Sequence, residues 1–267
     1  MQPEKDDGGS HVLRTSARLR QRHILTLARQ RGSVNVSLTS QEIGVSVETI
    51  RRDLAVLERQ GLIRREYGSA FPVESVAFET DLDRRSQTLL AEKRRIADFA
   101  VEQLNDAESI FVDEGLLPSL VARGIPVERR LTVVTASLPV AIDLATRPHC
   151  TVIMLGGRVR GKTLATVDKW VVGMMAEFAI DLAFVGANGL SIANGATTPD
   201  PAVSAVKAAA MRASRRRVFV GAHNKFGAAT FSKFADVRDF DLLITDTGLP
   251  RRIAYDFAAA GTEVQRV

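Results

Sequence analysis

Hydrophobic and polar positions follow two different rhythms along this chain. Up to about residue 70 the rhythm is helical. Leu19, Ile24, Leu27 and Ala28 form a loose stripe over residues 18–29, which Gly32 and Ser33 stop. A short segment at 39–44 leads into a strongly marked helix at 45–61. There Ile50, Leu54 and Leu57 fall at i, i+4 and i+7 and make one buried face. Ser46 is placed to cap the N-terminus, Glu48 suits the positive end, and Gly61 stands where a left-handed residue is wanted. Gly44, just ahead of the cap, permits a tight turn between two helices. Residues 62–71 then read as a short hairpin carrying Arg64, Arg65 and Tyr67 followed by Gly68.

Beyond residue 71 the rhythm changes. Residues 71–88 have no steady period and read as a linker that ends in a helix. Short apolar runs then alternate with helical stripes. Strands are predicted at 109–113, 131–135, 151–155, 181–186, 217–221 and 241–246, and helices at 91–104, 137–147, 166–178 and 201–214. A last helix and a short tail at 262–267 close the chain. Continuous apolar runs between helices are strands covered on both faces, which predicts a parallel, doubly wound α/β sheet. The expected organisation is a disordered tail (1–13), a small winged helix-turn-helix domain (14–72), a linker (73–90) and a larger α/β domain (91–267).

Composition sharpens this. The 267 residues are 45% hydrophobic and 25% charged, ordinary for a globular chain long enough for two domains. No apolar run approaches 18 residues, so no membrane span is expected. Residues 1–10 are polar and lack a secretion-signal core, and Cys150 is the sole cysteine, so the reading is cytoplasmic, without a disulfide. His11, His23, His149 and His223 have no ligand spacing. No metal, cofactor or catalytic residue is expected. The net charge is +5, yet residues 14–70 alone hold eleven Arg, no Lys and five acids. That segment meets a polyanion or presents a solvated basic face.

A helix, a tight turn, and a second helix with polar and arginine residues on its opening turns is the helix-turn-helix layout. Its second helix enters the major groove of double-stranded DNA. Arginine suits that position, because its fork bonds guanine bidentately and also grips phosphate. Ser46, Glu48, Thr49, Arg51 and Arg52 on the helix, with Arg64, Arg65 and Tyr67 on the hairpin, are the candidate DNA contacts. The hairpin is a DNA-binding wing or an ordinary hairpin after a helix.

Ligands on doubly wound sheets sit beyond the carboxyl ends of the strands. The segments there are Asp113-Glu-Gly115, Thr135-Ala-Ser137, Gly156-Gly-Arg158, Gly186-Ala-Asn-Gly189 and Gly221-Ala-His-Asn-Lys225. Their glycines, hydroxyls, amide and lysine suit a small anionic or polyhydroxy ligand, although glycine after a strand is also plain turn chemistry. The stretch Gly156-x-x-x-x-Gly161-Lys162-Thr163 fits the phosphate-loop pattern and invites an NTPase reading. Its interior, Gly157-Arg-Val-Arg160, is too bulky for a tight wrap, and it follows the third predicted strand rather than the first.

The run VSVETIRRDLAVLERQGLIRREYGSA resembles the winged-helix signature of the DeoR family of bacterial transcription regulators. Blocks such as VVTASLPVA, LGGRVRGKT, DLAFVGANGLS, AVKAAAM, NKFG and LLITD are similar to that family's C-terminal sensor domain. The resemblance covers about residues 18–246. It implies a sensor fold like ribose-5-phosphate isomerase, a sugar or sugar-phosphate effector, and a repressor of a carbohydrate operon acting as a homo-oligomer on paired half-sites. It also supplies a non-nucleotide origin for Leu-Gly-Gly-x-x-Arg. The effector-facing positions it implies are Asp113, Gly115, Ser137, Gly156, Gly157, Asn188, Lys207 and Lys225. The rival reading is a sugar-phosphate isomerase-like enzyme. Departures from the family pattern are Tyr67-Gly-Ser-Ala70 for His-Gly-Gly-Ala, Thr39 for an apolar residue, Leu116-Leu-Pro118 for Ser or Thr, Ala136 for Asn, and Asn188 for Asp.

Overall fold

The computed structural model describes residues 16–31, 33–60, 62–66, 69–72 and 89–267. The expected tail, the Gly61 terminus, Tyr67 and Gly68, and most of the linker lie outside the described residues. The chain divides between Val73 and Glu74 into two compact units.

The first unit runs α1 (Ala17–Arg31), β1 (Val34–Asn35), α2 (Val36–Ile43), α3 (Val47–Arg59), β2 (Ile63–Glu66) and β3 (Ser69–Pro72). The strands form an antiparallel sheet in the order β1-β3-β2. One apolar cluster joins all of these elements, with Ile24 and Ala28 from α1, Ile43 from α2, Ile50, Leu54 and Leu57 from α3, and Val34, Ile63 and Ala70 from the sheet. The helix before the turn begins earlier than its sequence pattern suggests. Asn35 caps it, its Oδ1 accepting the amides of Ser37 at 2.9 Å and Leu38 at 3.2 Å. Gly44 ends it at φ 74°, a conformation that glycine adopts without strain.

The second unit is a seven-stranded sheet in the order β15-β14-β12-β9-β4-β5-β6, with every neighbouring pair parallel. Its elements are α4 (Leu90–Glu102), β4 (Ser109–Val112), α5 (Leu116–Gly124), β5 (Leu131–Thr135), α6 (Leu138–Ala145), β6 (Cys150–Met154), β7 (Arg158–Arg160), β8 (Ala165–Val167) and α7 (Lys169–Met175). They continue with β9 (Ile180–Val185), β10 (Gly189–Ser191), β11 (Gly195–Thr198), α8 (Pro201–Ala213), β12 (Ser214–Val220), β13 (Ser232–Ala235), β14 (Leu242–Thr245), α9 (Arg251–Ala259) and β15 (Glu263–Arg266). Alternate strand residues enter two separate cores, as a sheet covered on both faces requires. Phe111, Ala183, Val185, Phe219 and Leu243 pack with α7, α8 and α9, while Ile110, Val112, Leu182, Phe184, Val218 and Ile244 pack with α4, α5 and α6. From β4 the chain steps out through β5 and β6, then returns with β9 on the other side of β4. The gap between β4 and β9 is therefore the topological switch point.

The structure departs from these expectations in several places. The tail at 262–267 is not irregular, because Glu263–Arg266 is a seventh strand paired with β14. A helix, α5, was not expected after β4. Finally, the predicted helix at 166–178 begins as a strand, since β8 pairs antiparallel with β7, and the helix starts only at Lys169. A separate antiparallel sheet, β10-β11-β13, was also missed.

The β7–β8 ribbon settles the phosphate-loop question. Lys162 and Thr163 lie in the turn of a hairpin rather than on the first turn of a helix, and Thr163 is buried. A phosphate loop needs its helix immediately after the lysine. The glycine requirement also differs. A Cβ on Gly157 would lie 2.6 Å from the Val167 carbonyl oxygen and 2.8 Å from Val171, whereas one on Gly161 meets nothing within 4 Å. Gly157→Ala should therefore destabilise the unit by about 1–3 kcal/mol through overpacking, and Gly161→Ala should change stability by less than about 0.5 kcal/mol. Urea denaturation of the two variants checks this, and the reverse ranking would contradict the ribbon.

Candidate DNA interface and effector site

In the first unit, α3 sorts its residues by face. Ile50, Asp53, Leu54 and Leu57 are buried, while Ser46, Glu48, Arg51 and Arg52 are exposed and Thr49 half-buried. Ser46 caps the helix, its Oγ accepting the Thr49 amide at 3.1 Å and lying 2.8 Å from the Thr49 hydroxyl. Glu48 lies 3.7 Å from Arg51, a loose exposed pair. Beneath this face, Asp53 accepts from Arg20 Nε at 2.5 Å and from Gln21 Nε2 at 2.9 Å. Arg20 and Asp53 are both almost fully buried, so α1 grips the recognition helix through a paired charge. The sequence signal for this was an acid at i+3 from Ile50, on the apolar side of the helix.

On the hairpin, Arg65 is exposed but paired: its Nε and Nη2 each lie 2.7 Å from Glu58 Oε2 and its backbone amide donates to Glu58 Oε1 at 3.1 Å. Slight burial works to raise the Glu58 pKa, but the hydrogen bonds and charge of Arg65 outweigh it and hold the carboxyl below its ordinary range. The side chain of Arg64, like Tyr67, lies outside the described residues.

In the second unit, the switch point is filled by one charge pair. Asp113, just past β4, accepts the Gly186 amide at 2.9 Å and a short hydrogen bond from Lys207 Nζ on α8. Lys207 also donates to the Gly186 carbonyl at 3.2 Å and lies 3.8 Å from Glu114. The side chains of Lys207 and Asp113 are 3% and 2% exposed. Gly115 follows at φ 105° with open space where a Cβ would stand, and α5 starts from it.

The other expected effector residues do not all join this group. Ser137 is buried, its Oγ capping α6 through the Val140 amide at 3.4 Å, under a bridge to Ala165. Asn188 is buried and accepts from the Thr198 hydroxyl at 3.3 Å. Gly157 serves the close approach to β8 described above. Gly156 is exposed and donates its amide to the Met174 sulfur at 3.3 Å. It borders a cleft of about 670 Å³ beyond β6, shared with Gly157, Arg158, Asp168, Trp170 and Met174. Lys225 ends a single 3₁₀ turn, His223–Lys225, after β12.

Next to that turn is a pair that residue spacing did not reveal. His223 Nδ1 lies 2.7 Å from Asp246 Oδ1, and Asp246 also accepts the amides of His223 and Gly248, each at 2.8 Å. Among the described residues no group of three or more His, Cys, Asp or Glu is placed to hold a metal, and no helix is long and apolar enough to cross a membrane.

A winged helix-turn-helix, followed in the same chain by a doubly wound sheet with a polar switch point, defines a ligand-responsive DNA-binding transcription regulator. The chain belongs to the DeoR family: residues 20–76 match the DeoR-like helix-turn-helix domain and residues 89–247 the DeoR C terminal sensor domain. It is thus a transcription regulator and not an enzyme. It is 35% identical over 245 residues to the HTH-type transcriptional regulator GlpR of Haloferax volcanii, covering 92% of this chain and 96% of that one. It is 30% identical over 233 residues to the glycerol-3-phosphate regulon repressor of Escherichia coli strain K12, covering 86% and 92%. Among solved structures, ribose 5-phosphate isomerase A of Methanocaldococcus jannaschii superposes with a TM-score of 0.39 at 14% identity, over 52% of this chain and 55% of that one.

The Asp246 carboxyl carries a pH dependence. Burial raises its pKa, but the hydrogen bonds from the His223 ring, the His223 and Gly248 amides, and the charge of His223 outweigh burial and lower it. A carboxylate lowered on folding stabilises fully above its unfolded pKa of about 3.9 and loses that contribution as pH falls. Asp246→Asn should therefore lose roughly 1–3 kcal/mol at pH 7 and show a shallower loss of stability below about pH 4. Urea titrations at pH 7 and pH 3.5 test this, and an unchanged acid slope in the variant would remove the pair from the acid response.

Proposed function

We propose that this chain is a repressor of a carbohydrate-metabolism operon, held on its operator by the winged helix and released by a sugar or sugar-phosphate effector in the α/β unit. The observation that carries the reading is the outward pair Arg51 and Arg52 on the opening turns of a capped helix whose other face is buried. Arg51 and Arg52 read base edges, with Thr49 beside them and Ser46 and Glu48 at the helix start; Arg64, Arg65 and Tyr67 bear on backbone phosphate. The names of two relatives, the glycerol-3-phosphate regulon repressor and the putative aga operon transcriptional repressor of Escherichia coli, support the carbohydrate assignment. Gly115, Gly156 and Lys225 face the effector, and the buried pair Asp113 and Lys207 underlies the site. Ser137, Gly157 and Asn188 shape its surroundings. The working protein is a cytoplasmic homo-oligomer, because paired half-sites need paired readers. Its functional domains are 14–72 and 91–267, joined by the linker 73–90.

Mobility shifts at several salt concentrations test the DNA half. Binding should fall steeply with salt, and Arg51→Ala and Arg52→Ala should each weaken it by roughly 1–3 kcal/mol, the value of a bidentate base contact. Wild-type affinity in both variants would sink the reading. A melting-temperature screen of sugar phosphates and free sugars tests the effector half, with a gain expected from at least one of them.

Glu58 gives a finer test of the wing. It neutralises Arg65 in the free protein, so Glu58→Gln should release that guanidinium to phosphate. The variant should bind DNA more tightly at low salt, with a salt slope steeper by about one contact. Weaker or unchanged binding would make Arg65 a brace for the hairpin rather than a DNA contact.

A further inference from the structure

We propose that the cleft beyond β6 holds the anionic end of the effector and that Trp170 stacks against its sugar ring. The inference rests on the sugar-sensing reading above and names the subsite within it. Four observations support it.

The first is position and size. The cleft opens beyond the carboxyl end of β6, the outermost strand on this side of the switch point, and its volume of about 670 Å³ admits a small molecule. The second is charge. At the switch point Lys207 is neutralised by Asp113 and faces Glu114 as well, so a phosphate would gain little there. In the cleft, Arg158 and Lys169 outnumber Asp168, leaving a net positive charge. Arg158 reaches Asp168 at 2.8 Å, yet its side chain remains 64% exposed.

The third is an under-used donor. Gly156 is an exposed residue of the cleft lining, and the partner of its amide is the Met174 thioether, a weak acceptor that an anionic oxygen readily replaces. The fourth is local strain beside an exposed ring. Asp168 sits at φ 87°, a region that costs a side-chain-bearing residue energy, and such strain concentrates at ligand sites. Trp170 follows it, 67% exposed, with Lys169 Nζ 5.3 Å from its ring. A large apolar face left open on a charged cleft is what the C–H face of a sugar covers.

Trp170 is also the only tryptophan in the chain, so its emission reports on this cleft alone. The experiment titrates the full chain with glycerol 3-phosphate, ribose 5-phosphate, fructose 6-phosphate and glucosamine 6-phosphate, and with their unphosphorylated parents. Tryptophan emission and calorimetry are read together. At least one phosphorylated compound should bind with a saturable change in emission. Trp170→Ala and Arg158→Gln should each weaken that binding tenfold or more by calorimetry, while Trp170→Phe, which keeps an aromatic face, should stay within about threefold of wild type.

A compound that binds by calorimetry without changing emission, and binds Trp170→Ala as well as wild type, would overturn the cleft assignment and leave sugar sensing intact. Tighter binding of the unphosphorylated parents would overturn the anionic end. Absence of binding by every compound would overturn the sugar reading, and the cleft proposal with it.

Discussion

The α/β unit is organised around one buried charge pair. A parallel sheet that reverses its winding direction leaves two neighbouring strands, β4 and β9, whose following segments diverge and expose backbone groups between them. Asp113 and Lys207 close that gap. The carboxylate takes the Gly186 amide, and the ammonium takes the Gly186 carbonyl, so both polar groups of the residue after β9 are satisfied. Lys207 comes from α8, so the pair ties two strands and a helix at one point. Removing one partner of such a pair typically costs about 3–5 kcal/mol, because the other charge is left buried without compensation. The pair thus closes the base of the switch point with groups that satisfy one another.

The first unit uses the same device for a different purpose. Asp53 lies on the inward face of α3 and is held by Arg20 and Gln21 from α1. An apolar contact could pack the two helices but would allow them to slide. Two directed hydrogen bonds to one carboxylate fix the rotation of α3, and with it the direction in which Arg51 and Arg52 face. The order Ile-Arg-Arg-Asp-Leu thus alternates between packing, display and locking within a turn and a half of helix.

Much of this was legible in the residue pattern. Six of the seven strands in the large sheet are short runs of Val, Ile, Leu and Phe that no helix could use so briefly, and their parallel arrangement followed from the helices between them. The seventh, Glu-Val-Gln-Arg, was hidden because an edge strand is only half covered and keeps polar residues. Helix α5 was hidden by Leu116-Leu-Pro118, where proline suggests a break. Within the first turn it is tolerated, since the amide it lacks would have had no partner in the helix. The recognition helix was plain because its cap, its apolar face and its exposed arginines all lie within thirteen residues. The pairs that decide the chemistry were not. Asp113 and Lys207 are 94 positions apart, and Arg65 meets Glu58 only because a strand folds back along the helix before it. Family likeness named Asp113 and Lys207 as neighbours of a ligand, but nothing in their spacing showed that they neutralise each other.

That neutralisation fits the sensor role of this domain. A general base must be reachable and must have a free lone pair aimed at substrate. Asp113 is almost entirely buried, and the oxygen that accepts from Gly186 also accepts from Lys207. Asn188 cannot act as a base, and its side-chain oxygen already accepts from Thr198. The two groups best placed for such a step, Asp113 and Asn188, are thus committed to holding their neighbours. The cleft beyond β6 offers instead a glycine amide on a weak acceptor, a net positive charge and one indole face, groups suited to distinguishing and retaining a small molecule.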